Sequence, residues 1–552
     1  MANSKPLATS PFDPSRYIGS VIFVSPDAAK INLPYAASVS SKQYAGYLVI
    51  GGQVGEFVFI EGEEHAVLGR ITEVRLPDGE RLNAEPALGK TPDAHPIGFV
   101  QLLTTLELSD GKVISGIPQH PRVGQHVFSA HPLLVKHVIE GNNVNQAGML
   151  ELATTTVLGA TGGGKSWTVA RIVQEIARIG GKVILVDPTG EFHTYDDGVE
   201  HIFLGGEKRS EDDTQTVSFP YWNLTELDLF AIFQPSGASQ TPKLREALKS
   251  LKLSYIRNGE DNPQHITKKG AVKRDFLNDC VRNEAVIDSF GAKYHIKLLP
   301  RQIIEECVHE SGGTGSNPDH TIWGNYNEQV RGYCETLVSK IHSITRSKAL
   351  RCLFAPQEFT SLTHKIDQFL LSDKRVLRVS MQDLSFEHNA RELLTNALGR
   401  YLLTKARDRV FQTKPTVVIL DEAHQFLNKN IGDENNRVQL DAFGLIAKEG
   451  RKYGLTTILA TQRPRDIPED VLSQMGMFVV HRLINGKDRQ VVESACGNLD
   501  ASAAAFLPTL GQGEAILVGV DFPMPTPVKI IEPDYPPKSK GPDYAKYWNI
   551  PE

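Results

Sequence analysis

The 552-residue sequence predicts an α/β protein: a parallel sheet carrying a phosphate-binding loop, interrupted by a helical insertion and preceded by a small N-terminal β-barrel. Three observations carry this. Short apolar runs over residues 17–135 are punctuated by Gly, Pro, Asp and Asn, as in a small barrel or sandwich. From about residue 150, continuous apolar runs alternate with amphipathic segments, the pattern of βαβ units. Residues 159–166, GATGGGKS, lie between such a run and such a segment.

The length suits three to four domains at about 150 residues each. A formal net charge of −6, with 40% hydrophobic and 22% charged residues, is ordinary globular composition and excludes a disordered, collagenous or coiled-coil chain. No apolar run approaches the ~18 residues of a membrane span. The start, MANSKPLATSPFDPSR, has no apolar stretch behind its charges, so no secretory signal is expected and the chain is placed in the cytoplasm. Mild acidity argues against a surface coated in nucleic-acid-binding charge, yet permits a local basic channel. The five cysteines form no CxxC pair and no zinc spacing; they are expected to be free and buried.

The runs VIFV at 21–24, YLVI at 47–50, FVFI at 57–60, VL at 67–68 and GFV at 98–100 supply the barrel strands. Prolines 118, 121 and 132 mark a boundary, so residues 1–135 form the barrel domain. Residues 136–224 begin the α/β core. A strand is expected at 154–158. Residues 165–179 set Val169, Ile172, Val173 and Ile176 at helical spacing and stop at Gly180 and Gly181, a C-cap pair. KVILVD at 182–187 reads as a strand buried on both faces. Residues 225–370 are polar, helix-prone and poor in strand signals: a helical insertion. Strands at 376–380, 416–420, 456–461, 478–483 and 515–518 give the second part of the core, 371–520, and a parallel sheet. The stretch 521–552 holds eight prolines and is expected to be extended.

The loop at 159–166 carries the chemistry. Gly159, Ala160, Thr161, Gly162, Gly163 and Gly164 let backbone N–H groups curl around phosphate oxygens, and the following helix adds its dipole. Lys165 is expected to reach the β- and γ-phosphates of ATP and Ser166 to ligate Mg²⁺, with Trp167 in the same nucleotide-binding turn. VVIL at 417–420 ends in Asp421 and Glu422. Asp421 is expected in the Mg²⁺ shell and Glu422 as the general base for the attacking water. Such a strand end is modestly common alone; it gains specificity by following a phosphate loop. Residues 421–424 also spell DEAH, which is treated as coincidence with a two-core helicase superfamily because only one α/β core is evident. In DPTGE, Asp187 is the stronger nucleotide-side candidate, and Glu191 is equally a turn residue. Gln462, ending ILATQ, is placed to sense the γ-phosphate or the water. Arg451 and Lys452, in KEGRKYG, are a finger for a neighbour's ATP or helix-end charges. His193, His201, His295 and His424 stand alone and are read as structural or surface residues.

In their order, GATGGGKS, DPTGE, VVILDEAH, KEGRKYG, ILATQRP and the strand carrying His481, Arg482 and Leu483 resemble HerA-type ATPases of the HerA–FtsK class. The stretch IGSVIFVS…GQVGEFVFIE…AVLGRITEV is similar to the small β-barrel of that family. The resemblance runs over about residues 17–520 and implies a RecA-like core, a homo-hexameric ring and ATP-driven translocation of double-stranded DNA. It also implies coupling to a nuclease or a sirtuin-like effector, in bacteria often within anti-phage defence. The insertion around 255–330 matches no motif of the family. In such rings the edge after the Asp-Glu pair faces the next subunit, which makes Arg451 and Lys429 the residues expected to act in trans.

Two other functions fit the same loop: a nucleotide-binding ring scaffold that regulates an effector without translocating, and a small-molecule kinase. Glu422 and Gln462 favour hydrolysis over transfer to an acceptor. Residues 243–274 hold nine Lys/Arg against three acids, either a pore lining or a solvated helical face. The barrel is expected to serve ring assembly and partner docking. Tyr535, Tyr544, Tyr547 and Trp548 need a surface to bury against, and the tail is expected to brace a neighbouring subunit.

Overall fold

The computed structural model describes residues 7–34, 42–44, 47–49, 51–77, 95–140, 155–158, 164–208, 210, 213–237, 239–314, 317–427, 430–431, 437–497, 499, 501–519, 522 and 524–538. The chain forms two compact units: residues 1–151 with 476–530, and residues 152–475 with 531–552.

In the first unit, Ala28–Asn32, Tyr17–Val24, His126–Ser129, Phe57–Glu61, His65–Arg75 and Ile97–Glu107 pair antiparallel in that order. Ile97–Glu107 pairs back onto Ala28–Asn32 and closes a six-stranded barrel. Ile18, Val21, Ile31, Val58, Ile60, Val67, Val100 and Val127 fill it, because alternate residues of each strand face inward. The register between the two long strands shifts at Gly69, where a Cβ would meet Val100 Cγ1 at 2.4 Å and Gln101 O at 2.8 Å. Only glycine fits that corner. The same unit contains an antiparallel meander of Met477–His481, Glu514–Gly519 and Thr526–Lys529. This corrects the expectation that 478–483 and 515–518 share one parallel run; an apolar run reports burial, not strand direction.

In the second unit, eight strands pair parallel in the order Thr360–Ser361, Thr216–Ser218, Val199–Leu204, Val376–Ser380, Lys182–Asp187, Thr416–Leu420, Leu455–Thr461 and Thr155–Leu158. Lys182–Asp187, Val376–Ser380 and Thr416–Leu420 are buried along their whole length, as strands covered on both faces must be. The helix Lys165–Arg178 starts from Gly164, whose φ of 104° suits glycine alone, and buries Val169, Val173 and Ile176. The strands Val199–Leu204 and Thr216–Ser218 escape the sequence reading; the first carries Glu200 and His201 at half-buried positions and breaks the apolar run.

Helices Glu226–Phe233, Gln240–Asn258, Lys273–Arg282, Leu299–Glu305, Glu328–Arg346 and Leu362–Leu371 occupy much of the stretch before Val376–Ser380. The basic run at 243–274 is engaged within this helical region. Lys243 pairs with Glu246 at 2.8 Å, Arg245 with Glu226 at 2.6 Å and Arg257 with Asp279 at 2.7 Å. Lys252 Nζ donates to Ile287 O at 2.9 Å, Lys273 to the Glu310 carbonyl, and Lys268 is buried against Glu306. Burial removes Lys268 from any pore lining, and the other five are held by partners within the helical region. All five cysteines are buried and free. Among the described residues no helix is long and apolar enough to cross a membrane.

The tail also departs from expectation. Asp534 N–H donates to Gln174 Oε1 at 3.1 Å, Thr194 Oγ1 to Pro536 O at 2.8 Å, and Lys538 N–H to Glu191 O at 2.9 Å. Tyr535 packs edge-on against Tyr195, centroids 5.1 Å apart. Tyr535 packs within its own chain, where the loop after Asp187 offers it both a ring and polar partners. Tyr544, Tyr547 and Trp548 lie outside the described residues.

Candidate nucleotide site

Strand order builds the site. Thr155–Leu158, Leu455–Thr461 and Thr416–Leu420 are neighbours, with Leu158 opposite Thr461 and Leu459 opposite Leu420. Residues just past their C-terminal ends therefore converge, where parallel sheets bind ligands. Lys165 Nζ donates to Asp421 Oδ1 at 2.7 Å and to Glu422 Oε1 at 3.0 Å. Gln462 Nε2 donates to the same Glu422 oxygen at 2.5 Å. Four residues singled out in the sequence thus meet in one cluster.

The cluster is buried. The Lys165, Asp421 and Glu422 side chains are 5%, 1% and 7% exposed. Burial opposes the charge of Lys165, but Asp421 and Glu422 outweigh it and raise its pKa. Burial pushes Asp421 up to about 6 against the pull of Lys165, and the Glu422 charge adds to the rise. Asp421 Oδ2 and Glu422 Oε2 are buried and accept no hydrogen bond among the described residues. Glu422 also sits in left-handed backbone, φ 48° and ψ 41°, a conformation that costs energy outside glycine and concentrates at functional sites. Bare carboxylate oxygens in such a place fit the shell of a divalent cation. No group of three His, Cys, Asp or Glu among the described residues could hold a metal alone, so phosphate oxygens would have to complete it.

The other expected residues are dispersed. Gly159, Ala160, Thr161, Gly162, Gly163 and Lys429 lie outside the described residues. Ser166 and Trp167 stand half-buried on the first turn of the helix after Gly164. Asp187 is fully buried and serves its own loop. Its Oδ1 accepts the Gly190 N–H at 2.8 Å and the Glu191 N–H at 3.2 Å; its Oδ2 accepts the Phe192 N–H at 3.1 Å and Arg378 Nε at 2.7 Å. With both oxygens partnered, Asp187 shapes the loop instead of reaching a nucleotide. Glu191 offers its carbonyl to the tail. Arg451 and Lys452 are exposed on the turn Gly450–Tyr453. That turn is tight: a Cβ on Gly454 would meet Phe411 O at 2.3 Å, and one on Gly450 would meet Leu455 O at 2.5 Å. The glycines of KEGRKYG therefore fix where the two cations protrude.

Two contributors escape the sequence reading. Arg378 is the buried partner of Asp187; a lone charge inside the run VLRVS was the available signal. His424 lies beside Glu422 and Thr461, and no sequence spacing announces that contact.

Known proteins match over the same regions. The model described as Helicase HerA, central domain, matches residues 154–406, and Helicase HerA-like C-terminal matches 404–540. The DNA double-strand break repair helicase HerA of Sulfurisphaera tokodaii is 24% identical over 502 residues, covering 86% of this chain and 88% of that protein. A probable helicase of Methanocaldococcus jannaschii is 39% identical over 390 residues, 68% of this chain and 65% of its own length. Among solved structures, the plasmid coupling protein TrwB in complex with ADP and Mg²⁺ aligns over 70% of this chain and 87% of its own, with TM-score 0.42 and 14% identity.

Proposed function

Since the chain belongs to the HerA family of P-loop ATPases, we propose that it is an ATP-driven, homo-hexameric motor. It moves along double-stranded DNA and is coupled to a partner nuclease or sirtuin-like effector. The observation that carries the hydrolytic part is the meeting of Lys165, Asp421, Glu422 and Gln462 at three adjacent strand ends. The DNA part is supported by relatives described as DNA double-strand break repair helicases.

The proposed steps rest on this geometry. ATP phosphates take over from Asp421 and Glu422 as the counter-charge of Lys165, which frees Glu422 Oε1. Glu422 then accepts the proton of the attacking water, and Gln462, already on Oε1, holds the base or that water in line. Ser166 and Asp421 are the residues that would hold Mg²⁺, which when bound neutralises phosphate charge. Arg451, exposed on its tight turn, supplies a cation to the neighbour's γ-phosphate, with Lys429 the second candidate.

The test combines variants with DNA. Lys165→Ala should lose ATP binding or hydrolysis, and Glu422→Gln should bind ATP and turn it over only at a small residual rate. Duplex DNA should accelerate the wild-type ATPase, and displacement of a triplex strand should report motion. Turnover indifferent to DNA, with no displacement, would replace the motor by a ring scaffold. Mixing Arg451→Ala with Lys165→Ala subunits should restore part of the activity; mixed rings dead at every ratio would return Arg451 to a role in its own subunit.

A further inference from the structure

One polar side chain in the site has no part in the scheme above. His424 lies in the turn Ala423–Gln425, directly after Glu422, with its side chain 13% exposed. Its Nδ1 is 3.2 Å from Thr461 Oγ1 and 3.3 Å from Glu422 Oε2. Thr461 is fully buried at the end of the strand that precedes Gln462, and its Oγ1 already accepts the Arg463 N–H at 3.1 Å. The two oxygens of Glu422 therefore face different neighbours. Oε1 takes Lys165 and Gln462; Oε2 is buried, accepts no hydrogen bond among the described residues, and has the imidazole beside it. Nδ1 makes its hydrogen bond with Thr461 Oγ1, and Glu422 Oε2 lies within reach at 3.3 Å without one.

We propose that His424 is a positioning residue for the hydrolytic base: its Nδ1–H anchors Glu422 Oε2 when Lys165 leaves Oε1 for the phosphates, so that Oε1 stays turned toward the water. A carboxylate oxygen only accepts, so the Nδ1–H tautomer is the one that serves. Thr461 Oγ1, hydrogen-bonded at Nδ1, limits rotation of the ring and would share the Nδ1–H with Glu422 Oε2. Without the anchor, the carboxylate is free to follow the departing ammonium, its strongest partner. Misplacing a catalytic group by about 1 Å can cost about 10²-fold in rate. The inference rests on Glu422 being the base.

The test uses the full-length protein and steady-state ATP hydrolysis. His424→Leu removes the donor and keeps much of the bulk; His424→Asn sets an amide N–H near the place of Nδ1. His424→Leu should lower kcat by about ten- to a hundred-fold, the range for losing a hydrogen bond to a charged group. KM for ATP should stay within about twofold, since no ground-state contact to ATP is removed. His424→Asn should recover to within about threefold of wild type. On a Glu422→Gln background, His424→Leu should take the residual rate no lower, because the residue it positions is already disabled. Equal losses in the Leu and Asn variants would overturn the role. So would a KM rising in step with the loss, or the full loss repeated in Glu422→Gln. Wild-type turnover in Glu422→Gln alone would instead remove the base assignment, a separate outcome from a normal His424→Leu beside a dead Glu422→Gln.

Discussion

Two buried lysines in the same unit face carboxylates, and among the described residues their hydrogen bonding differs. Lys268, in the helical insertion, is held by Glu306, whose Oε1 also accepts Ser250 Oγ at 2.6 Å and Gln302 Nε2 at 2.8 Å. Its Nζ lies 4.5 Å from the Phe276 ring centroid and 5.0 Å from that of Trp323. Lys165, in the nucleotide site, faces Asp421 and Glu422, whose Oδ2 and Oε2 accept no hydrogen bond among the described residues. Buried charge persists when its hydrogen bonds are complete and is costly when they are not. The saturated cluster is a fastening between helices. The other cluster is the one proposed to take a nucleotide and its metal ion.

Breaking each lysine separates the two roles, and the nucleotide site should give the larger effect. Lys165→Met should reduce ATP hydrolysis by about 10³-fold or more, since it removes the cation facing the γ-phosphate. Lys268→Met should instead destabilise the helical region by about 3–5 kcal/mol, the usual result of leaving one member of a buried pair. Its turnover per folded molecule should be near wild type. Urea unfolding and steady-state hydrolysis on both variants check this. Lost turnover in Lys268→Met at unchanged stability would put the insertion cation into the machinery and erase the contrast.

The bare oxygens also set a pH dependence. Asp421 holds its proton up to about 6 in the folded chain, against an ordinary value of 3.8, chiefly through burial. The folded state therefore binds that proton more tightly than the unfolded state does. Between about pH 4 and pH 6 this group makes the nucleotide-free protein less stable as pH rises, by up to about 3 kcal/mol. Asp421→Asn removes the titration, so its urea midpoint should gain on wild type over that window. A constant difference from pH 4.5 to 7 would mean that Lys165 compensates Asp421 in full. Saturating nucleotide with Mg²⁺ should flatten the wild-type slope, because the ionised oxygen then has a partner.

The same contrast explains what the sequence could say. Lys165, Asp421, Glu422 and Gln462 were legible because each directly follows an apolar strand or its loop, and a parallel sheet gathers strand ends. The insertion cluster was not legible. The count of cations at 243–274 carries no information on which face each occupies, and Lys268 finds Glu306 only after the helices pack. Arg378 and Asp187 pair across 191 positions of chain, a distance no local pattern spans. The approach of His424 to Glu422 depends on the left-handed turn at Glu422, which no residue type there announces. Barrel and parallel strands were visible as apolar runs; the order of the strands and the antiparallel direction of Glu514–Gly519 were set by connections the runs do not encode.

The smallest expected effect lies where the tail meets the phosphate-loop helix. Tyr535 packs edge-on against Tyr195 and borders a cavity of about 10 Å³ lined by Ala170, Val173 and Leu185. Asp534 ties the same segment to Gln174 on that helix. Tyr535→Ala removes an aromatic pair worth about 0.5–1.5 kcal/mol and some buried area. It loosens the back of the helix whose first residue is Lys165 and leaves the residues that touch ATP in place. Affinity for ATP should therefore fall by a few-fold, about 1 kcal/mol, with kcat nearly unchanged. The sedimentation of the assembly should not move, since the contact is internal to one subunit. A loss of assembly with normal ATP affinity would reverse this, and would mean that the tail works as a brace between subunits after all.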